Sequence, residues 1–157
     1  TGIVQKMIHG LKYKGHQAVG TFIGDWFAED LKKLAIIETI DKIIPVPLHP
    51  KKLKQRGYNQ VTNFGISLSE NLQIQYDATL LKRNIYSKTQ TKKDLLKRTE
   101  VNNQVIFEAV YTEKDHGKHF LLIDDVITTG STLEACSRAL LKIPGAKISI
   151  VCMAMSH

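Results

Sequence analysis

Residues 121–132 read Leu-Leu-Ile-Asp-Asp-Val-Ile-Thr-Thr-Gly-Ser-Thr, and they constrain the fold more than any other part of the chain. Three apolar residues make a short buried strand, and two carboxylates, Asp124 and Asp125, arrive as it ends. Five small or hydroxyl-bearing residues follow: Thr128, Thr129, Gly130, Ser131 and Thr132. Leu133, Cys136, Leu140 and Ile143 then recur at helical spacing. A strand that passes through a tight polar loop into an amphipathic helix is half of a βαβ unit, so the segment predicts an α/β domain.

The rest of the chain agrees with that unit. Val4, Met7, Ile8 and Leu11 predict a first helix. Residues 17–34 predict a longer one, with Val19, Phe22, Ile23, Trp26, Phe27, Leu31 and Leu34 on one face and the only Trp in the core. Residues 42–46 read as a short strand that Pro45 and Pro47 end. A basic loop is expected over 48–57, then a helix carrying Val61, Phe64, Gly65, Leu68 and Leu72. Residues 77–83 read as a strand, and 84–103 as a charged, mobile loop with a short helix near Leu95 and Leu96. A buried strand over 119–124, a helix over 131–143 and a strand over 147–153 complete the pattern. Strands that alternate with helices imply a parallel sheet, whose ligands sit beyond the carboxyl ends of its strands. The loops after Val46, Arg83 and Asp124 are expected to share that edge.

With 157 residues and 43% hydrophobic content, the chain is expected to form one domain, residues 1–157. The two cysteines, Cys136 and Cys152, form neither a disulfide framework nor a metal cluster at their spacing, which points to a reducing cytoplasm. No run of apolar residues is long enough to span a membrane. The chain opens on Thr1 and not Met, which suggests a fragment or a trimmed chain.

Charge is unevenly placed. Formal net charge is +7, yet residues 82–98 alone hold seven cations against Asp94, and residues 51–56 hold Lys51, Lys52, Lys54 and Arg56 with no acid. Local positive charge suits a polyanionic partner, although a solvated basic loop gives the same pattern.

The loop itself carries the chemistry. A helix start leaves free N–H groups and a partial positive charge, which suits a phosphate. Gly130 allows close approach, and Thr128, Thr129, Ser131 and Thr132 add hydroxyl donors. Two adjacent carboxylates cannot hold that phosphate. They can accept hydrogen bonds from vicinal hydroxyls, or hold Mg²⁺ directly or through water. A phosphate beside cis hydroxyls is a ribose 5-phosphate. A strand running into a capped helix explains one hydroxyl residue, but neither four nor the acid pair. No Lys follows Gly130, which excludes a Walker loop, and no Gly-x-Gly-x-x-Gly is present.

This string resembles the phosphoribosyltransferase signature. The wider chain resembles the ComF family of competence proteins, often labelled amidophosphoribosyltransferase-like. The supporting segments are Leu11-Lys12-Tyr13-Lys14-Gly15, Ile44-Pro45-Val46-Pro47-Leu48-His49-Pro50 and Arg56-Gly57-Tyr58-Asn59-Gln60, with a looser patch at Thr89-Gln90, Arg98 and Asn102. The resemblance implies a phosphoribosyltransferase-type, Rossmann-like fold: a mostly parallel twisted sheet flanked by helices, with a flexible loop. It implies recognition of 5-phosphoribosyl 1-diphosphate (PRPP) with Mg²⁺ as cofactor. Asp124 and Asp125 would then contact the ribose hydroxyls and the metal, and residues 128–132 the 5-phosphate. Lys54, Arg56, Tyr58 and Asn59 would form the diphosphate loop, while Thr89, Gln90, Lys92, Lys93 and Arg98 would lie on the flexible loop. Asp124, Asp125 and Arg56 would be the catalytic candidates in a displacement of diphosphate from C1 of the ribose. The N-terminal four-cysteine zinc ribbon usual in the family has no counterpart here, and no base-binding hood is recognisable, so no acceptor is named.

A second class stands beside the enzyme. A ComF-type protein without turnover would act in DNA uptake during transformation, with partners in the competence machinery, as a PRPP sensor or through electrostatic binding of single-stranded DNA. Tyr58 and Tyr86 are the only aromatics in the basic segments, too few for a stacking platform. His49, between two turn prolines, reads as a structural loop residue.

Overall fold

The computed structural model describes residues 17–85 and 105–155. The first expected helix therefore lies outside the described residues, as does the looser patch of the family resemblance.

The fold is built on a four-stranded, wholly parallel sheet in the order β2-β1-β5-β6. Its strands are β1 (Lys42–Pro45), β2 (Gln75–Tyr76), β5 (His119–Ile127) and β6 (Lys147–Met155). A separate antiparallel pair, β3 (Leu81–Ile85) and β4 (Val105–Ala109), joins Leu81 to Ala109 and Ile85 to Val105. Alternate residues of a strand face opposite sides, so a strand covered on both sides must be apolar throughout. The central strands obey this rule. Ile43, Leu121 and Ile123 pack against α1 (Gln17–Leu31) and α3 (Thr62–Leu72) through Ile23, Ala28, Val61, Phe64 and Leu68. Ile44, Phe120 and Leu122 pack the other way, against α4 (Ser131–Leu140) and the β3–β4 pair through Leu133, Cys136, Leu140, Leu81 and Phe107. Each fully buried Leu, Ile or Phe contributes roughly 1.5–3 kcal/mol relative to exposure.

Four features differ from the sequence reading. First, the buried face of α1 is made largely of small residues. Gly20, Gly24 and Ala28 are buried, whereas Phe22 is 63% exposed, Trp26 64% and Leu34 50%. A Cβ on Gly24 would stand 2.5 Å from Ser67 Oγ, and one on Gly20 3.2 Å from the Phe64 nitrogen. Close helix approach has therefore won over burial of the large apolar side chains, and Trp26 is not a core residue. Asp25 fixes the crossing by accepting from Ser67 Oγ (2.6 Å) and Asn71 Nδ2 (2.9 Å).

Second, the basic loop contains a helix, α2 (Pro50–Arg56). Pro50 supplies the preset first residue, His49 caps the helix by accepting from the Lys51 N–H (3.1 Å), and Gly57 closes it at φ 78°. Third, the strand expected over 77–83 begins only at Leu81, and β3 continues through Asn84 and Ile85. Asp77 instead makes an Asx turn, its Oδ1 accepting from the Thr79 and Leu80 N–H groups. Fourth, neither β2 nor β4 has a counterpart in the sequence reading.

Pro45 sits in an interior strand, where proline removes a ladder bond. Ile43 O accepts from the Asp77 N–H (2.9 Å), and the Val46 N–H turns the other way, to Ile123 O (2.9 Å). The next rung towards β2 would need an N–H on Pro45. None exists, and β2 stops at Tyr76.

Candidate functional site

The site lies beyond the carboxyl ends of β1 and β5. One cleft of about 340 Å³ is lined by Val46, Pro47 and Leu48 after β1, Lys52 and Arg56 on α2, Asn59, Gln60 and Val61 before α3, Arg83 on β3, and Asp124, Asp125, Val126, Thr128 and Thr132. The loop after β1 and the carboxyl end of β5 thus share an edge, as expected, although β5 runs past Asp124 to Ile127; Arg83 lines the same cleft, and the loop expected after it lies outside the described residues from residue 86. A smaller hollow, lined by Asp124 and residues 126–133, opens beside it at the start of α4.

The hollow has the form of a cradle. Gly130 takes φ 78° as the residue before α4, and the Glu134 N–H closes the first turn onto Gly130 O (2.9 Å). A Cβ at Gly130 would meet nothing within 4 Å, so its absence leaves open space. Thr129 Oγ1 lies 3.0 Å from Ser131 Oγ and also accepts the Ser131 N–H at 3.4 Å. Thr128, Thr129, Ser131 and Thr132 are all exposed. The cradle therefore gathers hydroxyls and the N-terminal end of a helix dipole around a hollow.

Asp124 and Asp125 are half-buried at the end of β5. Asp124 Oδ1 accepts from the Asp125 N–H, and Asp125 Oδ1 from the Val126 N–H, each at 2.8 Å. One oxygen of each acid is thereby oriented by the backbone. Gln60 Nε2 reaches Asp125 Oδ2 at 3.4 Å. Burial, then the negative charge of Asp124, pushes the Cys136 thiol up to about 12, with Arg83 pulling the other way. The same two causes push Cys152 up to about 11. Neither thiol is a nucleophile at neutral pH.

The opposite wall is cationic. Lys52 and Arg56 are four residues apart on α2 and so share a face. Arg83 places its guanidinium 5.4 Å from the Phe107 ring centroid, and its buried Nε donates to no acceptor among the described residues. Partial burial, then Arg83, Lys51 and Lys52, hold His49 below its ordinary value, which shows how closely these cations gather. His49 stays neutral and keeps its helix-capping role.

Of the residues singled out in the sequence, Asp124, Asp125, Thr128, Thr132, Arg56 and Asn59 line the cleft, and Thr129, Gly130 and Ser131 line the adjoining hollow. Lys54 and Tyr58 line neither. Asn59 also ties the wall together, donating from Nδ2 to Val46 O at 3.0 Å. Thr89, Gln90, Lys92, Lys93 and Arg98 lie outside the described residues. The sequence reading missed Lys52, Gln60 and Arg83 as site residues. The i,i+4 spacing of Lys52 and Arg56 could have found the first, had the segment been read as a helix.

The model of the phosphoribosyl transferase domain matches residues 80–157, which include both acids and the whole cradle. The chain belongs to the phosphoribosyltransferase superfamily. It is also similar to DNA utilization and competence proteins. The DNA utilization protein YhgH of Escherichia coli O157:H7 is 28% identical over 159 residues, covering 94% of this chain and 65% of that protein. Competence protein F of Haemophilus influenzae is 32% identical, covering 77% of this chain and 53% of its own. Competence protein ComFC of Bacillus subtilis is 32% identical, covering 64% and 38%. This phosphoribosyltransferase-type chain thus spans about 65% of the length of the DNA utilization proteins it matches. Among solved structures, the purine phosphoribosyltransferase from Pyrococcus horikoshii matches with a TM-score of 0.55 at 20% identity, over 87% of this chain and 73% of that one. The adenine phosphoribosyltransferase from Leishmania tarentolae gives 0.50 at 20% identity, over 86% and 56%. At that identity the likeness establishes the fold. Among the described residues, no helix is long and apolar enough to cross a membrane.

Proposed function

We propose that this domain binds PRPP together with Mg²⁺. One observation carries the reading: a hydroxyl and glycine cradle with two carboxylates faces Lys52, Arg56 and Arg83 across a single cleft. The ligand that fits has a phosphate at one end, vicinal hydroxyls in the middle and a second anionic group at the other end. In this reading Thr128 to Thr132 take the 5-phosphate and Asp124 and Asp125 take the ribose hydroxyls. The cationic wall takes the diphosphate.

Hard oxygen donors suit Mg²⁺, and the adjacent half-buried carboxylates Asp124 and Asp125 would hold it directly or through water. When bound, the ion supplies positive charge to the diphosphate. In a transfer reaction the bond from C1 to the diphosphate oxygen breaks as the bond to the acceptor forms, and Arg56, Lys52 and Arg83 stabilise the departing charge. Calorimetric titration with PRPP, with and without Mg²⁺, tests the reading. Binding that tightens with Mg²⁺, and a weaker response to ribose 5-phosphate, are expected. No heat of binding with PRPP would overturn it.

The names of the relatives, DNA utilization and competence proteins, favour a role in DNA uptake as the second reading. The cationic segment over 51–56 would then supply electrostatic affinity for single strands. Log K should fall with log salt by about 0.7 per phosphate neutralised. Fluorescence anisotropy of a labelled oligonucleotide across salt concentrations measures that slope, and no binding at low salt removes the reading for this chain.

A further inference from the structure

Gln60 is 7% exposed, just before α3, and it lines the cleft facing Asp125. Its amide nitrogen points to Asp125 Oδ2 at 3.4 Å. That orientation is chemically required, because an ionised carboxylate only accepts and an amide oxygen turned towards it would repel it. Once the nitrogen is so committed, Oε1 is held in place. It is buried and, among the described residues, receives no hydrogen bond. A buried amide oxygen left without a donor is costly, and natural structures rarely keep one without a use. The cleft's own donors do not meet this need: Lys52, Arg56, Arg83, Thr128 and Thr132 line it but none donates to Oε1, and Asn59 donates to Val46 O.

We infer that Gln60 is a positioning residue with a ligand contact: it steers Asp125 and offers Oε1 to a hydroxyl of the bound sugar. This rests on the ribose-phosphate reading above. A sugar hydroxyl between Asp125 and Gln60 donates to one acceptor and keeps its lone pairs for water or metal. An inorganic phosphate seated in the cradle brings no sugar hydroxyl to that point. Gln60 would therefore distinguish a hydroxylated sugar phosphate from an inorganic anion that the cradle alone would take.

The test compares two probes on Gln60→Met, which keeps the side-chain length and removes both polar groups. Affinity for ribose 5-phosphate should fall about five- to tenfold, the scale of one net hydrogen bond and a loosened carboxylate. Affinity for inorganic phosphate should stay within about twofold. Equal loss for both probes would mean that the substitution disturbs the cradle, and no loss for either would mean that Oε1 serves no ligand; both results overturn the inference. A second measurement needs no variant. In ¹⁵N-labelled wild-type protein, the Gln60 side-chain amide resonances should shift with ribose 5-phosphate and hold still with inorganic phosphate. Wild-type protein that ignores ribose 5-phosphate would sink the parent reading, whereas binding that leaves the Gln60 resonances unmoved would sink this inference alone.

Discussion

Gly130→Ala separates what the cradle costs from what it does. Gly130 and Gly117 stand at φ 78° and 70°, and a Cβ at either would meet nothing within 4 Å. An alanine at either position therefore suffers the left-handed backbone penalty of about 1–2 kcal/mol and no clash. For a chain of this size that is a fall in Tm of about 3–6 °C, nearly equal for the two variants. Their effects on a ligand should part completely. Gly117 lies before β5, where its N–H bonds to Pro144 O at 2.8 Å, while Gly130 borders the hollow after β5. The open space at Gly130 is the volume assigned to phosphate. A methyl group there displaces an oxygen from the helix N–H groups and removes at least one charge-assisted hydrogen bond of about 1.5–3 kcal/mol. The expected result is a loss of about ten- to a hundredfold in ribose 5-phosphate affinity for Gly130→Ala, and none for Gly117→Ala. Differential scanning fluorimetry and calorimetric titration of the two variants measure both quantities. Equal ligand affinity in the two would refute the assignment of the cradle, whatever their stabilities.

Replacing Asp124 and Asp125 together by Asn should weaken PRPP binding by about 2–4 kcal/mol, the loss of several charge-assisted hydrogen bonds; a folded double variant with unchanged affinity counts against their role. Lys42 bridges Asp115 (2.7 Å) and Asp77 (3.1 Å), with side chains only 17%, 7% and 14% exposed, so Lys42→Met should cost about 2–4 kcal/mol at pH 7. Burial pushes both acids up, but hydrogen bonds from Lys42 and the local Thr residues more than offset it, so both titrate below their ordinary value. Their stabilising contribution is present above that value and is lost as pH falls through the lower folded one. Urea unfolding should therefore show the Lys42→Met penalty shrinking below about pH 4, where the variant's acids take up protons; a pH-independent penalty would contradict the ion-pair account. Alkylation of Cys136 and Cys152 in the native protein at pH 8 should be far slower than in urea, because burial holds both thiols at about 11–12. Trp26 fluorescence should be readily quenched by acrylamide, and protection equal to that of a core tryptophan would mean that α1 packs through its large side chains after all.

The sequence was most legible where chemistry and folding demand the same residues. The succession of strand, acid pair, hydroxyl loop and helix over 121–143 read correctly, although β5 runs on through the acids to Ile127 and α4 stops at Leu140. Elsewhere the signals failed for definite reasons. The buried face of α1 sets Gly20, Gly24 and Ala28 beside Ile23 and Leu31, and the three small residues carry almost no hydrophobic signal, while Phe22 and Trp26 supply a strong one from the exposed side. Helix α2 has no buried residue, so no apolar stripe could mark it, and only the Pro50 and Gly57 boundaries were readable. The β3–β4 pair joins Leu81 to Ala109 across 28 positions, so nothing local marks β4 as the partner of the strand read over 77–83. Gln60 was hidden because its importance arises only from meeting Asp125, 65 residues away.

The missing N–H of Pro45 bears on how a site like this can change. Past Pro45 the chain leaves the ladder to β2 and runs straight into Val46, Pro47 and Leu48, which line the cleft. The point at which β1 parts from β2 is therefore set by one absent hydrogen in the backbone. Any other residue at 45 would bring back the donor for that rung and so reach the cleft's first wall through the backbone, without touching a lining side chain.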